Sequence, residues 1–416
     1  YALDANTTGA YNVAVGAEAL GANTTASNNV AVGYKAMKDG TTAAENVAIG
    51  YYCMMDATTA QYNTAVGEQT LQNITTGDRN TAIGNGALNG VTTADYNTAL
   101  GCGALQSYTG SSNTAIGYDC MTNCSTGGSN TAVGYQAGEQ ITTGSENTLM
   151  GIVAGDEITT GIQNTVVGSD ALGANQTGDY NTAVGKGALQ LYTGGQNTAF
   201  GRSALGSNTG SGGCTAVGYN AIQLGTGTNN TAVGHSALDA CTTGYSNTAV
   251  GQNCLGAMIA NIENTGVGAG CLSGVNNGGY NTAIGFNAGS TTTGSSFNVY
   301  VGAYARGASD VANEISIGYS ATGKGSGTSF IAPGNGTQEA YNGANSSSWS
   351  TTSDRRIKKN ITDNKTGLDK LNQIRVRNFE YRTKDEIIED APELTEFVDS
   401  AVVDQEGIKV GSIAQE

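Results

Sequence analysis

The sequence predicts an all-β fold, a parallel β-solenoid or β-roll of about nineteen 17-residue coils. Three observations predict it. A glycine recurs at steps of 16 or 17 residues, through Gly16, Gly33, Gly50 and Gly67 and onward to Gly302 and Gly318. The positions around that glycine hold the same residue types in coil after coil. The composition, with 63 glycines, two prolines and 12% charged residues in 416, suits a repeat array better than globular domains. Glycine does not fall at every third position, which excludes a collagen helix.

A typical unit reads Asn-Thr-Ala-Val-Gly-x-x-Ala-Leu, as at Asn230–Leu238, followed by a polar stretch such as Thr242-Thr243-Gly244. The residue before the glycine is apolar in all nineteen units, from Val15 to Ile317. Three after it stands Ala in fourteen units, Cys in four and Thr70 in one. Four before it stands Asn in seventeen, with Cys214 and Glu314 as exceptions. So short a unit cannot bury its own face and must stack on its neighbours. Thr-Ala-Val and Ala-Leu read as the strands of a coil, and Thr-Thr-Gly as its turn. At ~4.8 Å per coil the stack rises on the order of 90 Å. The scarcity of proline follows, because proline would remove a ladder donor. The Asn column is expected to form an amide ladder along a corner.

Within Thr-Ala-Val the Ala and Val must point to opposite faces. The expectation is that Val fills the coil interior while Ala14, Ala31, Ala48, Ala65 and their successors offer a small face to another chain. Parallel self-association is therefore favoured, with the number of chains left open. The simpler alternative is a lone solenoid with Ala at a tight corner.

Charge narrows the partners. Net charge is −16, and residues 1–345 hold 7 Lys+Arg against 20 Asp+Glu. An acidic rod attracts neither nucleic acid nor anionic lipid. No run of ~18 apolar residues exists to span a membrane. The chain opens on Tyr1 with neither an initiator Met nor a signal-like stretch, as expected of a fragment or processed product. Of eight cysteines, Cys53, Cys120, Cys254 and Cys271 occupy the Ala position after the glycine and read as small buried residues. Cys254 and Cys271 share a phase in adjacent coils, so a disulfide is conceivable but not required. No cysteine–histidine spacing suggests zinc, and no cofactor or metal is expected. The single histidine, His235, reads as a surface or corner residue.

Asn63–Gly67 (Asn-Thr-Ala-Val-Gly) and Asn46–Gly50 (Asn-Val-Ala-Ile-Gly) resemble the Asn-Ser-Val-Ala-Ile-Gly motif in the heads of trimeric autotransporter adhesins of the YadA type. That resemblance covers about three quarters of the chain and implies a trimer of left-handed parallel β-rolls. The 17-residue coil is longer than the adhesin repeat, which implies a different cross-section, and the residues after the repeat do not read as a membrane-barrel anchor.

The repeat (1–322) gives way to a Gly/Ser/Asn-rich connector (323–352) containing Phe330, Pro333 and the only tryptophan, Trp349. From Ser353 lysine and arginine become frequent and glycine nearly vanishes, marking a further domain (353–416). Thr366–Ile374 has helical spacing, whereas Val376–Tyr381 and Ile408–Ile413 read as strands. Three blocks, Ser353–Ile361, Asn378–Tyr381 and Gly411–Glu416, resemble in order the intramolecular chaperone of phage endosialidases and tail fibres. The family's domain normally continues past the last block, so the domain is expected to be incomplete here. The resemblance implies a domain that trimerises, helps the preceding β-stalk to fold, and then cuts itself off before the serine of its Ser-Asp motif. Carried over, the cut falls between Thr352 and Ser353, with Ser353 as nucleophile and Lys358, five residues on, as base. Lysine serves as a base only where burial lowers its pKa. By themselves a Ser and a Lys five apart are weak evidence, since Lys358 and Lys359 could be a solvated basic patch. A repeat array needs such help, because a shift of one unit preserves most contacts.

The leading reading is a trimeric structural and host-recognition fibre of a virion, a phage tail fibre or similar surface fibre. Its partners would be a host glycan or protein and other tail proteins. Alternatives are a bacterial trimeric surface adhesin, or the shaft of a polysaccharide depolymerase whose enzyme lies upstream. Tyr51-Tyr52, Tyr118-Asp119 and Tyr219-Asn220 are candidate receptor contacts, with ordinary surface variation as the plainer reading. No turnover enzyme is expected, since neither a glycosidase carboxylate pair nor an acyltransferase hexapeptide repeat occurs. The Thr column three before the glycine begins only at Thr64, against an ice-binding face.

Overall fold

The computed structural model describes residues 1–332 except Cys124 and Ser211. It also describes the strands Ala340–Asn342, Ser350–Thr351, Arg377–Phe379 and Lys409–Gly411. The chain divides into two units, Tyr1–Thr352 and Ser353–Glu416. No helix occurs among the described residues.

The first unit is a parallel β-solenoid. Each coil contributes one three-residue strand, beginning with Val13–Val15 and Val30–Val32, and each strand pairs in parallel with the equivalent residues of the next coil. Ile315–Ile317 continues the ladder onto Ser329–Ile331, which turns it antiparallel by pairing with Ala340–Asn342 and, through it, Ser350–Thr351. The stretch that reads as a connector thus carries three strands of the same sheet. In the second unit Arg377–Phe379 pairs antiparallel with Lys409–Gly411, inside the two segments expected to be strands. The helix expected over Thr366–Ile374 lies outside the described residues.

The Ala-Leu segment is not a strand. Its Leu or Met, and the residue two before it, sit in the left-handed region, as at Lys35 (φ 56°) and Met37 (φ 50°). A strand would carry the chain straight on by about 3.3 Å per residue, but a 17-residue coil must close on itself. The left-handed residues bend the chain while its N–H groups still point along the stack. Lys35 N–H donates to the Ala17 carbonyl one coil back, and Met37 N–H to the Cys53 carbonyl one coil on. Left-handed backbone costs about 1–2 kcal/mol per residue. These hydrogen bonds, and a Leu or Met side chain with no exposed surface, offset it.

The two faces of the strand are the reverse of the sequence expectation. Ala31, Ala48, Ala65 and their equivalents are fully buried inside the coil, whereas Val15, Ile49 and Ile83 lie on the outer face. The reason is volume. The interior of so short a coil has little room. The Leu or Met four residues after the glycine is fully buried there, in many coils together with a residue three further on such as Val91, Tyr108 or Tyr192, so the inward strand residue must be small. Exceptions compensate in pairs. Where glycine replaces the Leu, at Gly138, Gly155 and Gly289, the inward strand residue grows to Leu149, Val166 and Tyr300. Leu149 fills the space beside both Gly138 and Gly155, and Tyr300 fills that beside Gly289. One continuous core results, from Ala19 to Ala305.

The Asn ladder forms as expected, buried from Asn29 onward. Asn147 donates through its backbone N–H (3.0 Å) and Nδ2 (3.1 Å) to Asn130 Oδ1. Its Nδ2 also donates to the Gly161 carbonyl (2.9 Å), and its own Oδ1 accepts from Asn164. At Cys214 the column is broken. The Cys214 N–H still donates to Asn197 Oδ1 (3.0 Å), but only a thiol faces the Gly227 carbonyl (3.4 Å). Asn97 occupies an equivalent 16-residue step and reaches its Gly110 carbonyl at 3.0 Å. Cys214→Asn is therefore expected to raise stability by about 1 kcal/mol, the worth of one buried hydrogen bond. A rise in the thermal midpoint checks it; a fall would contradict the ladder. At the far end Glu314 takes the Asn position, with its carboxylate accepting from Ala308 N–H (3.2 Å) and Gly325 N–H (2.7 Å).

Candidate functional sites

The outer strand face is the first. One residue before each glycine an apolar side chain lies on the outer face, and the large ones stand well out: Leu100 is 44% exposed, Met150 49% and Phe200 57%. Threonine or a β-branched apolar residue flanks this stripe two positions earlier, and neither column contains an ionisable residue in nineteen coils. A contiguous apolar strip of this length is a candidate interaction surface. Alternation within the strand announced two faces, and the paired volume changes above were the signal that would have assigned them.

Aromatic rows are the second. Tyr34 stacks on Tyr51 at 5.5 Å, Tyr52 packs edge-on against Tyr51 at 4.2 Å, and Lys35 lies over Tyr34 and Tyr52. Tyr118 stacks on Tyr135, and Tyr219 on the exposed His235, with Arg202 over the Tyr219 ring. The tyrosines singled out from sequence are thus members of stacked rows, as same-phase residues one coil apart must be. A second row, five before the glycine, escaped sequence reading: Arg79 lies between Tyr62 and Tyr96, and Tyr280 stacks on Phe297.

The cysteines are packing residues. Cys53, Cys120, Cys254 and Cys271 are fully buried, as expected, and all seven described cysteines are free thiols. Burial pushes Cys53 and Cys120 up to about 12 and Cys241 up to about 11. A hydrogen bond to Cys271, together with burial, raises the Cys254 thiol. Only Cys102 is exposed among these seven. Because thiolate is the reactive form, brief alkylation of the native protein at neutral pH is expected to label Cys102 and spare the other six. Peptide mapping reads the result, and rapid labelling of Cys53 or Cys120 would contradict the packing.

No cluster of His, Cys, Asp and Glu among the described residues could hold a metal ion. No described helix is long and apolar enough to cross a membrane.

The C-terminal segment is the third. Strand Ser350–Thr351 closes the described part of the first unit, and the second begins at Ser353. Thr352, Ser353 and Lys358, the expected cleavage and catalytic residues, lie outside the described residues. Residues 353–416 match the model of the family described as chaperone of endosialidase. That match begins on the serine that the expected cut would expose. It spans the last 64 residues, so it describes this segment and leaves the solenoid to its own structure. No curated protein and no solved structure matches the chain.

Proposed function

We propose that the chain is the shaft of a trimeric surface fibre of a virion, such as a phage tail fibre, whose C-terminal segment directs trimerisation and folding and then severs itself. The observation that carries this reading is a chaperone-type segment that follows, in the sequence, a solenoid with an apolar stripe along its outer strand face. In a trimer the three stripes would meet and leave water, while the aromatic rows would stay available to a host glycan or protein. Assembly help has a physical reason: parallel coils this alike can pair out of step, and non-local pairing is slow.

In the proposed cut, Ser353 Oγ attacks the Thr352 carbonyl carbon as Lys358 takes its proton. The Thr352–Ser353 C–N bond breaks as that proton passes to the leaving amine, and water hydrolyses the resulting ester. The full chain should then yield two pieces, residues 1–352 and 353–416, in denaturing mass spectrometry. Ser353→Ala and Lys358→Ala should each leave one uncut chain while keeping the trimer. A wild-type chain that stays whole would remove the self-cleavage; cutting that persists in Ser353→Ala would remove the assigned nucleophile.

A further inference from the structure

The outer stripe repeats at the coil spacing, so a partner that covers it must repeat at the same rise along the same direction. A second copy of this solenoid does so; a helix or a globular surface does not. Charge favours the same partner. The chain carries net −16, yet the stripe and its flanking column hold no ionisable residue, so two copies can approach along them without opposing carboxylates. A strip ~90 Å long and ~10 Å wide offers about 900 Å², close to the ~800 Å² per partner of a stable interface.

Such a stripe has a defect: sliding one copy by a coil against another leaves an apolar strip facing an apolar strip. Two residues break that degeneracy. Phe200 pairs in register with Val184 on one side and Val217 on the other, and Met150 with Val133 and Val167. Elsewhere the column is Val, Ile and Leu100.

We propose that Met150 and Phe200 are register keys, bulky layers that fit only their same-numbered counterparts and so hold the copies at one height. The proposal rests on the trimeric reading above. In register, three Phe200 side chains share one layer whose backbone spacing adapts to them together. A slip of one coil places Phe200 against valine, overfilling one layer and leaving a void in the next, and both errors are unfavourable. This information sits within the shaft, separate from whatever register the C-terminal segment imposes.

The test moves a key by one coil. Two full-length chains with different tags are co-expressed, and trimers carrying both tags are counted. Wild type with wild type sets the statistical share. Wild type with the double variant Phe200→Val and Val217→Phe is expected to give mixed trimers at least about tenfold below that share, while each chain trimerises with itself. Met150→Val with Val167→Met repeats the test at the other key. Statistical mixing in both experiments would overturn the proposal, as would moved-key chains that fail to trimerise alone, since a moved key should still fit its own copies. If wild type itself remains monomeric, the trimeric reading falls, and the keys with it.

Discussion

Gly234→Ala is expected to destabilise the solenoid by about 3–5 kcal/mol, combining backbone strain with an overfilled contact. Gly234 has φ +137°, a conformation close to the Gly-only region, and a Cβ there would lie 2.6 Å from both the carbonyl C and O of Gly251 in the next coil. The obstacle is backbone fixed by its own stack, so no side-chain rotation relieves it. All nineteen phase glycines share this geometry, with φ between +122° and +147°. That is why the position tolerates no other residue while its neighbours vary. His235→Ala, one residue away and exposed, is the control and should change little. Because a repeat array can melt in parts, amide exchange in the flanking coils is the more informative readout beside the thermal midpoint. Protection at Gly251 unchanged by Gly234→Ala would contradict the account.

Asn147→Ala comes next, at about 2–5 kcal/mol. The change leaves the Gly161 carbonyl without its Nδ2 donor and the Asn164 N–H without its Oδ1 acceptor. Both groups are buried, and each unsatisfied group costs about 1–3 kcal/mol. Asn147→Asp separates the two losses. It keeps an acceptor for Asn164 but deletes the donor to Gly161 and buries a charge, so it should be at least as damaging near neutral pH. A drop in the denaturation midpoint comparable to that of an exposed Thr→Ala change would mean that the ladder contributes little.

The fold was legible from the sequence because its evidence is periodic. Glycine at a fixed step, with Asn, Ala and an apolar residue at fixed offsets, admits stacking and little else, and Asn147 sits where its column predicts. The parts read wrongly concern direction and conformation. Alternation says that Ala and Val face opposite ways but not which way is in. That depended on volume inside the coil, readable only by noticing that Gly138, Gly155 and Gly289 accompany Leu149, Val166 and Tyr300. Ala-Leu looked like a strand because composition does not reveal the left-handed backbone that Met37 and Leu88 adopt. The aromatic row through Tyr62, Arg79 and Tyr96 was hidden because its members differ in type, though not in phase. At the C-terminal site, Ser353 and Lys358 gained meaning from the blocks around them, since two residues five apart specify no chemistry alone.

The correction strengthens the case for assembly. A small Ala face turned outward would have been an interface of modest apolar content. The face that is turned outward carries Leu100, Met150 and Phe200 within an unbroken apolar column. The stripe is uncharged on a chain of net −16, so its burial meets no electrostatic obstacle along its own columns.

The native molar mass of the purified chain by light scattering tests this most directly. With a chain of 41.9 kDa, the account predicts a particle of three copies, less any C-terminal pieces lost after cutting, and the same mass on dilution. A particle of one chain mass, with Phe200 and its neighbours accessible to solvent, would contradict it.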